Sequence, residues 1–400
     1  MFLQLTPGMS VSFSPAISPD SQLLSDALTH RLPPHSLQTD LDISSRRSDQ
    51  CSAPVQKIGF MKTHKTASST VQNILLRYGM NAGLNFVLPG KGSHLGAPAH
   101  QYELTVPFSS AWYSDVPWAD LATHTGYNIF ALHTKWSQSE VEKVLGAGAK
   151  YVTILRDPVD NFESLYNYVH FSKTFHGWSL EEFTHKIVAK KKKNVTRIHN
   201  YLGRNQQLWD LGLPADSINN YEAVRKKIEK IAEDFDLVMI AEEFDQSLVL
   251  LSDLLCWPLA NVTSLKVNAR KSSAVEKLSQ KARDILRDWL WADQMLYDFF
   301  SKELKRKREL YGHDRMENDV KQLKELNSQV KSECVLEVVK NNTKSLTKDY
   351  VPWSKDVVAF KINEEEHPYC KFYGISELHF IDHVRDIQKL RALNWRKGNL

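Results

Sequence analysis

The residues most able to do chemistry stand in three places. The stretch Gly59–Thr66 reads G-F-M-K-T-H-K-T, close to the G-x-x-x-x-G-K-[ST] of a nucleotide-binding loop, with His64 where the second glycine belongs. Lys65 supplies a point charge, and Thr66, Ser68, Ser69 and Thr70 supply short hydroxyl donors, a set suited to a phosphate. Free amides at the start of a following helix favour the same anion. A second group is Arg156, with Ser164 eight residues on. If a helix opens near Pro158, Ser164 lies about two turns along it and can grip a dianion with Arg156. The third is His133, whose ordinary pKa of about 6.5 suits a proton acceptor near neutral pH.

These residues need a frame to bring them together. Four short apolar runs, Lys57–Lys62, Asn128–His133, Lys150–Leu155 and Phe235–Ile240, read as buried strands. Helical patterns follow most of them. Val71, Ile74, Leu75 and Tyr78 repeat with helical spacing, and Gly79 reads as a stop. Asp157 is placed to cap and Pro158 to open the helix carrying Val159, Phe162, Tyr166 and Val169. Asp245 reads as the cap of "QSLVLLSDLL". Strand–helix alternation predicts a parallel α/β sheet. Such sheets bind ligands at the carboxyl ends of their strands, where Lys65, Arg156 and His133 all fall. Residues 272–310 read as one long helix or two shorter ones, with Leu278, Ala282, Ile285, Trp289 and Leu296 facing the core. From Met316 a charged helical stretch leads to an aromatic-containing end.

An ATPase would need the glycine before the lysine and a magnesium-binding Asp after a strand. "DLVMIAEEF" offers only Glu242 and Glu243. Composition is that of a globular protein, with 400 residues, 42% hydrophobic and 24% charged. A net charge of +4 fits a small anionic ligand and is too weak to imply nucleic acid. The four cysteines form no C-x-x-C pair, so no metal site is expected; one or two disulfides are open, with Cys334–Cys370 the first choice. Sequons at Asn194, Asn261 and Asn341 permit a lumenal location without requiring it. Residues 1–54 read as a disordered tail or stem, and no run of about 18 apolar residues is present. The run Lys190–Lys193 reads as a solvated face.

The pair "K-T-x-S-S-T" and "R-D-P-x-x-x-x-x-S-x-Y" resembles the two donor-binding motifs of sulfotransferases. "MKTHKTASSTVQNIL", "LRDPVDNFESLYNY", "DFDLVMIAEEFDQSLVLLSDLLCW" and "KVNAR" resemble the Golgi galactose 3-O-sulfotransferases more narrowly, over roughly Gln56–Gly312. The resemblance implies a three-layer, P-loop-like α/β fold with a central parallel sheet. It implies a catalytic domain over 55–315 and a C-terminal extension over 316–400 packed on it. The implied reaction moves a sulfuryl group from 3′-phosphoadenosine 5′-phosphosulfate to the 3-hydroxyl of galactose on a glycolipid or glycan. The implied location is the Golgi membrane, with a lumenal catalytic domain. The donor cradle would comprise Lys62, Thr63, His64, Lys65, Thr66, Ala67, Ser68, Ser69 and Thr70, with Lys65 on the 5′-phosphate end. Arg156 and Ser164 would hold the 3′-phosphate. His133 is the first choice of base, with His64, Glu242, Glu243 and His124 as rivals. Trp136 and Trp178 are candidates to stack on a sugar. Uronyl or other glycan O-sulfotransferases, a P-loop kinase and a non-catalytic relative are the competing readings. Two departures stand out: Ala67 replaces the family's usual glycine, and the usual N-terminal membrane helix is not seen.

Overall fold

The structure, a computed structural model, describes residues 51–398 except 97–103, 105, 114–115, 191–196, 200–201, 266–274, 340–345 and 352–356. The tail before Cys51, Lys191–Lys193, "KVNAR" and the sequons at Asn194 and Asn341 lie outside these residues.

All four expected strands form, and they share one sheet. They are β1 (Ile58–Met61), β2 (Ile129–Phe130), β3 (Lys150–Leu155) and β4 (Leu237–Ile240). The order is β2–β1–β3–β4 and every pairing is parallel. β1, β2 and β4 are buried throughout and β3 beyond its first residue, so helices and loops cover both faces. The chain goes from β1 to one side for β2 and returns to the other side for β3. The carboxyl ends of β1 and β3 therefore flank a switch point, the usual ligand crevice of such sheets.

Helix α1 (Ser68–Asn81) follows β1, α2 (Gln138–Leu145) follows β2, and α3 (Pro158–Tyr168) follows β3. Next come α4 (Gln206–Asp210) and α5 (Tyr221–Asp234), then β4 and α6 (Phe244–Leu254). Asp157 caps α3 as expected, accepting from the amides of Val159 and Asp160. Two other boundaries differ from expectation. α1 runs two residues past Gly79, because this glycine answers to packing: a Cβ there would stand 2.5 Å from Ile129 Cδ1 and Phe86 Cζ. Asp245 lies inside the first turn of α6, whose cap position is Glu243.

Residues 272–310 hold two helices, α7 (Gln280–Trp289) and α8 (Trp291–Tyr311), broken at Leu290. Then follow α9 (His313–Cys334), a hairpin of β5 (Val335–Val339) and β6 (Ala359–Ile362), and α10 (Glu377–Gly398). The main hydrophobic core runs without a break from β1 and α1 to Phe380, Ile381 and Val384 of α10. A second core gathers Phe162, Tyr166, Phe171 and Phe183 under Leu286 and Leu290. Two disulfides form, the expected Cys334–Cys370 and a Cys51–Cys256 bridge. Among the described residues no helix is long and apolar enough to cross a membrane.

Candidate active site

The loop after β1 is held from within. Thr63 Oγ1 donates to the Ile154 carbonyl of β3 at 2.5 Å and lies 2.7 Å from Thr66 Oγ1. Ser68 Oγ donates to the Thr63 carbonyl at 2.6 Å. The hydroxyls of Thr63, Thr66 and Ser68 thus shape the loop, and all three residues are buried. Thr70 is buried as well, within the first turn of α1. Neither Ser68 nor Ser69 caps α1. The cap position is Ala67, in the left-handed region at φ 66°, and no side chain closes the helix start. The first-turn amides of α1 therefore form a positive helix end suited to an anion.

Lys65 has φ 61°, and its ammonium sits over the Tyr168 ring, 3.9 Å from the centroid, at the end of α3. Its carbonyl accepts from Arg156 Nη1 at 3.3 Å. Arg156 follows β3 directly, and its amide donates to Gln207 Oε1 at 2.8 Å. Across the switch point the two motifs are thus joined. Ser164 lies in the second turn of α3, 3% exposed. Among the described residues no hydrogen bond joins it to Arg156.

His64 is anchored rather than loose. Its amide donates to Asp210 Oδ2 at 2.7 Å, and its Nδ1 lies 2.9 Å from the same carboxylate. Asn161 Nδ2 donates to its carbonyl at 2.7 Å, tying α3 to the loop. The His64 ring stacks on His133 with centroids 4.2 Å apart.

His133 does not close β2, which ends at Phe130. It lies three residues further along the same edge, bridged in parallel to His94, with the Leu95 amide donating to its carbonyl at 2.7 Å. Its Nδ1 faces the Lys62 carbonyl at 2.9 Å, and its Nε2 faces Lys62 Nζ at 2.9 Å. A carbonyl only accepts, so Nδ1 carries the proton and Nε2 accepts from the lysine. Burial, then the charge of Lys62, keep His133 well below the usual histidine pKa. Burial, with the nearby His64 and Lys62, brings His94 down to about 4. Lys62, 2% exposed, also donates to Ser69 Oγ at 3.2 Å and pairs with Glu377 at 3.1 Å.

The structure thus brings Lys62, His64, His133, Lys65 and Arg156 to one sheet edge. Of the rival bases, His64 lies in this group, stacked on His133, and the other three are engaged with other partners. Glu242 accepts from the Asp157 amide and from Tyr297, and Glu243 pairs with Arg308. His124 sits on the short helix Ala119–Thr125 before β2, against Trp395. Trp136 is core, packed edge-on to Phe130, and Trp178 packs on the second core. Sequence reasoning missed Asp210, Asn161, His94 and Glu377. Each makes its contact across a long stretch of chain, so no local pattern marks it.

Fold and site together define an α/β protein whose strand-end loop leads into a helix start without a side-chain cap, with Lys62, Lys65 and Arg156 beside it. The chain belongs to the galactose-3-O-sulfotransferase family, whose model matches residues 17–368. It is 33% identical to galactosylceramide sulfotransferase of Bos taurus, over 70% of this chain and 64% of that protein. Against the Homo sapiens protein of the same name it is 33% identical, over 76% and 69%. With galactose-3-O-sulfotransferase 2 of Mus musculus it shares 34% identity over 62% of each chain. The chain thus spans a little under two thirds of the bovine relative.

Proposed function

We propose that this chain is a carbohydrate sulfotransferase. It would move a sulfuryl group from 3′-phosphoadenosine 5′-phosphosulfate to the 3-hydroxyl of a terminal galactose, on a galactosylceramide-like glycolipid or a glycoprotein glycan. The observation that carries this reading is the Arg156–Lys65 link across the switch point, beside a helix start with no side-chain cap. The names of the relatives support the galactose acceptor.

The donor supplies the sulfuryl group and a phosphate leaving group. The α1 amides and Lys65 take the 5′-phosphate end, and Arg156 with Ser164 takes the 3′-phosphate. Charge grows on the phosphate oxygen as the S–O bond breaks, so a cation at that oxygen stabilises the transition state more than the ground state. His133 stays neutral, and its Nε2 takes the acceptor hydroxyl's proton once Lys62 yields that lone pair. With its basicity lowered by burial and Lys62, it takes the proton late, as the forming S–O bond makes the hydroxyl acidic. Two disulfides fit an oxidising compartment and so support a Golgi lumenal setting.

The test is transfer of labelled sulfate to galactosylceramide, lactosamine-type, heparan and chondroitin acceptors. Transfer confined to the galactosides is expected. Transfer only to the uronyl polymers would replace the acceptor assignment, and none to any acceptor by folded protein would remove the activity.

A further inference from the structure

The C-terminal helix places a carboxylate inside the cradle. Glu377 opens α10, with its side chain 21% exposed. Oε1 lies 3.1 Å and Oε2 3.2 Å from Lys62 Nζ, and Oε2 also accepts from Ser69 Oγ at 2.8 Å. One carboxylate thus grips both the cation that follows β1 and the first turn of α1. The residue lies 315 positions from Lys62 and beyond the stretch matched by the family model. α10 is fixed by its own packing: Phe380, Ile381 and Val384 enter the main core, and Gln388 bonds both the amide and carbonyl of Phe86. The carboxylate is therefore held in place by the fold.

Among the described residues Lys62 has four partner atoms around its ammonium: Ser69 Oγ, His133 Nε2 and the two Glu377 oxygens. A lysine chain is flexible, and the carboxylate is the only charged partner among them. Without it the ammonium would have no charged partner to keep it in place once it releases His133 Nε2. The carboxylate is also a negative charge beside an anion cradle, so it opposes donor binding through space. Burial pulls its pKa upward, but the Lys62 charge and the Ser69 and Lys62 hydrogen bonds outweigh this and hold it below the usual carboxylate range.

We infer that Glu377 is a positioning residue for sulfuryl transfer, holding the Lys62 ammonium when it releases His133 Nε2, at some cost to donor affinity. This inference rests on the function proposed above. A structural tie and a positioning charge part company in their effects. A tie, once cut, weakens folding, binding and turnover together. A positioning charge, once removed, lowers turnover while the anionic product binds as well or better.

The experiment compares wild type, Glu377→Gln and Glu377→Asp. It reads kcat with labelled donor, calorimetric affinity for adenosine 3′,5′-bisphosphate, and the melting temperature. For Glu377→Gln, kcat falls about 100-fold, the scale of a misplaced catalytic group. Its affinity for the bisphosphate stays equal or rises severalfold, and its melting temperature is kept within a few degrees. Glu377→Asp keeps the charge and regains part of kcat. Wild-type kcat in Glu377→Gln overturns the inference, as does a joint loss of melting temperature and bisphosphate affinity. Wild-type protein that neither transfers sulfate nor binds the bisphosphate refutes the proposed function instead, which the wild-type control shows by itself.

Discussion

The guanidinium of Arg156 donates to the main-chain carbonyl of Lys65 at 3.3 Å. This bond joins the carboxyl ends of β1 and β3, beside the Thr63–Ile154 and Asn161–His64 bonds that cross the same gap. Arg156→Ala removes this bond and a charge assigned to the 3′-phosphate. A charge-assisted hydrogen bond contributes about 1.5–3 kcal/mol, so adenosine 3′,5′-bisphosphate binds roughly 10- to 100-fold more weakly. Adenosine 5′-monophosphate, lacking the 3′-phosphate, loses much less. Calorimetry with both nucleotides separates the two effects, and equal losses would deny Arg156 its 3′-phosphate role.

Lys65 carries the charge assigned to the leaving phosphate. Lys65→Ala keeps the fold, because Lys65 is only half-buried and its ammonium lies over the Tyr168 ring in a loop that Thr63, Thr66 and Ser68 hold together. Turnover falls by about 100-fold or more, as when a transition-state donor is removed. Single-turnover transfer of labelled sulfate, with circular dichroism as the fold control, is the check. Activity within a few-fold of wild type would shift that role to Lys62.

Stability should fall on the acid side of neutrality. The folded-state pKa values of His133 and His94 lie below the ordinary 6.5 of the unfolded chain, with His94 at about 4. As pH drops through 6.5 the unfolded chain binds protons that the folded chain refuses. The stabilisation is thus complete above about pH 6.5 and is lost progressively below it. Each histidine costs up to about 1.4 kcal/mol per pH unit in that window. Melting curves from pH 7.5 to 5 measure the slope, and His94→Gln should flatten it. An unchanged slope in that variant would show that His94 does not carry its share.

Ala67 sits in the left-handed region at φ 66°, where glycine is at ease. That conformation costs a residue with a Cβ about 1–2 kcal/mol. Glycine's greater freedom in the unfolded chain offsets about 0.4–1 kcal/mol of the gain. Ala67→Gly therefore raises stability by about 0.5–1 kcal/mol, read as a higher urea midpoint at constant m-value. Destabilisation would mean that the alanine methyl contributes packing that its exposed position does not suggest.

Much of this site was legible in the sequence because its main features are local. Strand ends, the hydroxyl-rich loop and the Asp157–Pro158 helix start are each written in a few adjacent residues. All four apolar runs became strands of one sheet. What the sequence hid is what depends on distant partners. Glu377 meets Lys62 across 315 residues, and Asp210 meets His64 across 146. Gly79 reads as a stop because local rules attribute glycine to helix ends. Its reason lies in Ile129 and Phe86, which leave no room for a side chain. The edge on which His133 lies was legible, but its bond to Lys62 was not, since neither residue carries a periodic signal for the other.

The Cys51–Cys256 bridge closes a separation of 205 residues just ahead of β1. Val55 repeats the attachment, its amide donating to Leu255 and its carbonyl accepting from Trp257 Nε1. A pull transmitted through the chain before Cys51 would therefore enter the body at the end of α6, across a covalent bond. Part of that load would reach α6 before it reached β1 and the loop that β1 feeds.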